Sequence, residues 1–188
     1  MTPPPGPLVT VSGLPGAGTS TVAAQVAHHA GLDHVDAGTL FRQLAAEHGM
    51  DVVAFGRHAA AHPEVDVELD ARMAARGRRG GVVLEGRLAG WVATREPLPA
   101  LRVWVTCRDD VRAARVAQRE GTDPATALAA NTARERTERD RYLGTYAIDL
   151  ADTSIYDLVL DSTAADPATL VAALLAALGS RGAGRPPE

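Results

Sequence analysis

The stretch VTVSGLPGAGTSTVAAQVA, Val9 to Ala27, constrains this chain more than any other. A β-branched run, a glycine-rich turn and an alanine-rich helical pattern follow one another without a gap. That context separates a phosphate-binding loop from a chance cluster of glycines. In the pattern G-x-x-x-x-G-K-[ST], the glycines fall on Gly13 and Gly18 and the hydroxyl on Ser20. Gly13, Gly16 and Gly18 allow a close backbone approach that a β-carbon would obstruct. The loop Gly13, Leu14, Pro15, Gly16, Ala17, Gly18 and the helix N-terminus behind it favour an anion through exposed N–H groups. Ser20 is placed to reach Mg²⁺ and the β-phosphate of ATP, and Thr19 and Thr21 add hydroxyls. A glycine-rich turn without a ligand is the competing reading, but three glycines and three hydroxyls exceed what a turn needs.

Thr19 stands where such a loop carries lysine. All 19 basic residues are arginine, so no other part of the chain can supply a lysine either. Phosphoryl transfer is catalysed mainly by positive charge placed around spreading negative charge. Here that charge must come from arginine, a metal ion or backbone N–H groups. RAARVAQREG puts Arg115 and Arg119 at i, i+4, and ARERTERDRY brings Arg134, Arg136, Arg139 and Arg141 close together. Alone, the second cluster reads as a solvated helix face with local ion pairs; beside a phosphate loop it reads as phosphate-binding.

Five apolar runs alternate with helical patterns: Leu8 to Ser12, His34 to Gly38, Gly81 to Gly86, Arg102 to Cys107 and Tyr156 to Ser162. The alternation predicts an α/β fold in three layers, a five-stranded parallel sheet covered on both faces. Helices are predicted over Thr19 to Ala30, Leu40 to Glu47, Glu64 to Arg76, Asp109 to Glu120, Pro124 to Leu143 and Pro167 to Leu178, the last ending at Gly179. The proline- and glycine-rich ends, 1–7 and 180–188, read as disordered tails around one domain, 8–179. Net charge is −4, which argues against a nucleic-acid partner. No secretory signal is visible, and no apolar run approaches the ~20 residues that span a bilayer, so a cytoplasmic protein without a membrane partner is expected. The one cysteine, Cys107, reads as a buried strand-end thiol.

The order of the segments SGLPGAGTST, DAGTLFRQLAAEHGM, HPEVDVELDAR, VVLEGRLAGW, RVAQREG and RERTERDRYLGTYAIDLADTSIYDLVLDS resembles the nucleoside monophosphate kinases, and most closely the cytidylate kinases of archaeal type. The resemblance covers Leu8 to Ser162. Members of that family commonly carry threonines where other phosphate loops have lysine, so GTST is a variant of their pattern. The resemblance implies a P-loop kinase of adenylate-kinase-like fold that uses ATP with Mg²⁺ to phosphorylate CMP and dCMP. It also implies an acceptor-binding segment at about 36–76 and a lid at about 115–142. Asp36, Gly38 and Arg42 match the segment that receives the acceptor, and Arg87 matches a residue facing CMP. Better-known bacterial relatives have GRD where this chain has Leu88, which cannot hydrogen-bond. Asp66 and Asp70 are candidates to replace it, or else a solvated acidic face. Arg115 matches an arginine that meets ATP phosphates, and Asp161 lies where adenine is seated. Arg119, Arg134, Arg139 and Arg141 carry over as the catalytic arginines. Asp149, Asp152 and Tyr156 fit helix and strand caps equally well. A monomer is expected. Two alternatives stay open: a kinase of the same fold for another acceptor, such as UMP, and a nucleotide-binding regulator without turnover.

Overall fold

In a parallel sheet covered on both faces, strands are buried on both sides and read as near-continuous apolar runs. The computed structural model, which describes residues 6–183, has this arrangement. Strands β1 (Leu8–Gly13), β2 (Asp33–Asp36), β3 (Val82–Glu85), β4 (Ala100–Thr106) and β5 (Leu158–Asp161) form one sheet in the order β2-β3-β1-β4-β5. Every pairing is parallel, with Val11 beside Glu85 on one side and Val103 on the other. All of β1 is buried. Val9 and Val11 pack toward helices α1 (Thr19–Ala30) and α8 (Pro167–Ala183), together with Val26, Val103 and Leu174. Leu8 faces the opposite layer with Met73, Val92 and Trp104. From β1 the chain runs outward to β2, and from β3 it crosses to β4. The carboxyl ends of β1 and β3 therefore flank a topological switch point, where open α/β sheets hold ligands.

Helices α2 (Ala37–Glu47), α3 (Val52–Ala61) and α4 (Glu64–Arg78) lie between β2 and β3, with a small core of Leu44, Phe55, Ala59 and Val65. A short helix α5 (Ala89–Arg95) follows β3, while α6 (Asp109–Glu120) and α7 (Pro124–Tyr146) form a hairpin. Two of these depart from the pattern read in the sequence: α3 and α5 were not expected. Asp36 ends β2 earlier than Gly38 because its carboxylate caps α2, accepting from the N–H groups of Gly38 and Thr39. Helix α8 passes Gly179 and reaches Ala183; Arg181 Nη1 donates to the Ala100 carbonyl at 2.5 Å and holds this last turn on the sheet. Of the expected tails, residues 1–5 and 184–188 lie outside the described residues. Among the described residues, no helix is long and apolar enough to cross a membrane.

Candidate active site

The loop between β1 and α1 owes its shape to contacts on its carbonyl side. A β-carbon on Gly13 would lie 2.6 Å from the Val105 carbonyl oxygen. At Gly16, with φ +81°, one would lie 2.6 Å from that of Arg112. Side chains then engage four of the loop carbonyls: Arg87 donates to Gly13 (2.9 Å), Arg112 to Pro15 (3.0 Å), Arg115 to Gly16 (3.4 Å) and Ser162 to Ala17 (2.7 Å). With the carbonyls held this way, the N–H groups are left to the other side. Helix α1 starts at Gly18 with no side-chain cap, so its first N–H groups have no side-chain acceptor and suit an anion.

Arg115 does not line the cleft; its guanidinium donates to Ser162 Oγ at 3.0 Å and to the Ser162 carbonyl at 2.7 Å, so it buttresses the loop from behind. Arg112, unremarked in the sequence, is 2% exposed and also holds Glu135 of α7 and Asp109. Asp161 is exposed and accepts from the N–H of Thr163, capping its own turn, and Thr21 is exposed beyond the cleft.

In front of the loop lies a cleft of about 840 Å³. Leu14, Pro15, Gly16, Thr19, Ser20 and Glu85 line its floor. Glu85 ends β3 and is 6% exposed. Thr19 Oγ1 and Ser20 Oγ both donate to its Oε1, at 3.1 and 2.5 Å. Its Oε2 lies 3.0 Å from His34 Nε2, and that hydrogen bond raises His34 above the ordinary imidazole value. Ser20 and Glu85 offer hard oxygen donors, which suit Mg²⁺, an ion that keeps several waters and takes its remaining ligands from phosphates. Among the described residues, no group of three or more His, Cys, Asp or Glu could hold a metal unaided. Sequence reading passed over Glu85; the signal was a charge at the carboxyl end of an otherwise apolar central strand.

Helices α2 and α4 form the opposite wall, with Asp36, Gly38, Arg42, Asp66 and Asp70 all on the cleft. Asp36 is committed to its cap, and Arg42 Nη2 donates to Thr39 Oγ1 at 2.7 Å. Asp66 and Asp70 are not a solvated face. Asp66 is 5% exposed; burial raises its carboxyl against the pull of Arg141. Burial likewise pushes Asp70 up to about 6.

Asp70 therefore affects stability with pH. Below the ordinary carboxylate value both folded and unfolded chains hold the proton, and nothing is lost. As pH rises from there to about 6, the unfolded chain ionises first, and stability falls. Asp70→Asn is expected to stabilise the protein by about 2 kcal/mol at pH 8 and by almost nothing below about pH 4. Urea unfolding at the two pH values measures this, and an equal effect at both would show that Asp70 ionises normally. A carboxylate retained where it costs stability points to function.

Helix α7 closes the cleft with Arg134, Thr137, Glu138, Arg141 and Tyr142. Arg134, Glu138 and Arg141 lie at i, i+4 and i+7 and share one face. Glu138 is 8% exposed and accepts from Arg87 Nε at 2.9 Å and Arg134 Nε at 2.8 Å. Burial alone would raise its pKa, but these two guanidiniums hold it below the ordinary carboxylate value. Arg139 falls on another face, is exposed, and pairs with Asp149 at 3.3 Å; it does not line the cleft, against expectation. Arg119 does line it, with its side chain 67% exposed beside Glu120.

Residues 12–141 match a family model described as an AAA domain. The cytidylate kinase of Pyrococcus horikoshii is 43% identical over 171 residues, which cover 91% of this chain and 88% of that protein. That of Methanocaldococcus jannaschii is 44% identical over 157 residues, covering 83% and 88%. Among solved structures, a shikimate kinase from Bacteroides thetaiotaomicron superposes with a TM-score of 0.62 at 12% identity, covering 92% of this chain and 98% of that one. At that identity the likeness is one of fold.

Proposed function

The chain belongs to the cytidylate kinase family, and from that premise we infer how its cleft does the family's work, the transfer of the γ-phosphoryl group of ATP to CMP to give ADP and CDP. One observation carries the assignment of parts: a single cleft joins the phosphate loop to Arg42 on the opposite wall and to Arg87 just past β3. ATP phosphates lie on the loop N–H groups and the start of α1. Ser20 and Glu85 would hold Mg²⁺, which would supply positive charge beside the ATP phosphates. Arg42 and Arg87 fork onto the CMP phosphate. Glu138 fixes Arg87 and Arg134 relative to each other, so guanidinium groups on both sides of the reacting phosphorus keep one geometry. Arg119 and Arg134 supply the charge that a loop lysine would bring. The CMP phosphate attacks in line, and no covalent intermediate is needed.

Segments 36–76 and 115–142 act as acceptor-binding part and lid, adenine is seated by main chain near residues 161–162, dCMP is accepted with CMP, and the protein works as a monomer. A coupled ADP-release assay over CMP, dCMP, UMP and AMP with Mg²⁺ tests the reading. CMP and dCMP should turn over best. A preference for UMP would move the acceptor, and ATP binding without turnover on any acceptor would leave a regulator.

The missing lysine gives a second test. A lysine at position 19 would meet Glu85, which accepts from Thr19, before it met a phosphate. Thr19→Lys is expected to lower kcat about tenfold by drawing Glu85 into an ion pair. A several-fold gain in kcat would show instead that the loop lacks a charge.

A further inference from the structure

Leu88 lines the cleft and offers no hydrogen bond, so the CMP reading, on which this inference rests, leaves the base without a reader. Two side chains from opposite walls meet the need. Asp66 on α4 and Arg141 on α7 approach with Oδ2 3.2 Å from Nε, and both line the cleft. The two atoms are buried against each other as an ion pair that lacks hydrogen-bond geometry. Buried polar groups are nearly always hydrogen-bonded, so an ion pair on the cleft whose hydrogen bonding is incomplete suits a ligand edge that carries a donor beside an acceptor. The same cleft is lined by Leu69, Met73, Leu88 and Val92, apolar surface for the faces of a flat ring.

We propose that Asp66 and Arg141 read the amino edge of cytosine, Asp66 accepting from the 4-amino group and Arg141 donating to ring N3 and O2. An acceptor beside a donor is complementary to cytosine, whose edge presents an N–H next to a ring-nitrogen lone pair. Uracil reverses both: its O4 would face the carboxylate and its N3–H the guanidinium. Such a mismatch both loses two bonds and leaves buried charges unpaired, which discriminates far more strongly than shape. The chain thus places specificity on a pair built from the acceptor wall and α7. Arg141 accordingly acts on the acceptor base rather than on the transferred phosphoryl group.

The test is the ratio of kcat/KM for CMP to that for UMP. Asp66→Asn, whose amide can turn its N–H toward O4 of uracil, should lower this ratio about 30- to 100-fold through KM for the acceptor, with KM for ATP unchanged. A second measurement needs no variant: CMP lacking its 4-amino group, the 2-pyrimidinone nucleotide, should lose about 30-fold on the wild-type protein. It should lose little further on Asp66→Asn. Wild-type protein that prefers CMP, with the preference intact in Asp66→Asn or the amino group dispensable, would overturn this proposal alone. Wild-type protein that does not use CMP would overturn the reading beneath it.

Discussion

Glu85→Gln is expected to lower kcat by about 10²- to 10³-fold and to raise the Mg²⁺ concentration needed for half-maximal rate. Glu85 is 6% exposed, and its two oxygens are shared between the Thr19 and Ser20 hydroxyls on one side and His34 on the other. The glutamine keeps the size and an acceptor, so the fold should persist; what goes is the negative charge beside Ser20. In a chain without lysine the cation carries a larger share of the charge at the phosphates than it would beside a P-loop lysine. Losing its carboxylate partner should therefore be felt mainly in kcat and in Mg²⁺ dependence, with KM for CMP little changed. Steady-state kinetics over a Mg²⁺ titration, alongside a thermal unfolding curve, measure this. A wild-type Mg²⁺ dependence in a folded Glu85→Gln protein would take Glu85 out of the metal site.

The parts of this molecule that local patterning determines were legible in the sequence. Five parallel strands and the loop from Gly13 to Gly18 follow from apolar runs and glycine spacing, and helices α1 and α6 begin and end where their periodicity says. Helix α3 was missed although Asp51 caps it, because Gly56 interrupts a short pattern whose burial rests on a local core with Phe55. The arginines show the deeper limit. Counting charges in ARERTERDRY could not tell Arg134 and Arg141 from Arg139; the helical wheel separates them, and only tertiary packing shows that the i, i+4, i+7 face meets the cleft. Arg115 reads in the sequence as a phosphate ligand, and only the packing shows its guanidinium engaged with the Gly16 and Ser162 carbonyls, since loop carbonyls need donors as much as phosphates do. Glu138 and Glu85 were invisible for a related reason: a carboxylate reads as a surface charge until its guanidinium or hydroxyl partners, distant in sequence, are seen around it.

Arg141→Ala is expected to have two separable effects, and their separation is the stronger test. Kinetically, kcat/KM for CMP should fall by about 100-fold or more, roughly 3 kcal/mol of transition-state stabilisation, while KM for ATP stays near the wild-type value. Thermodynamically, the variant leaves Asp66, 5% exposed, without the only cation that approaches it among the described residues. Stranding a buried charge in this way costs about 3 kcal/mol, more than the intact pair contributes. Asp66→Asn in the Arg141→Ala background removes the stranded charge and should restore most of the lost stability in urea unfolding. It should restore none of the CMP turnover, because the donor to the base is still missing. If turnover returns with stability, Arg141 acts through the fold, and if the single variant keeps wild-type kcat/KM for CMP, Arg141 has no place in the acceptor site. Recovery of stability without activity assigns to one residue both the holding of a buried carboxylate and the recognition of the substrate that carboxylate faces.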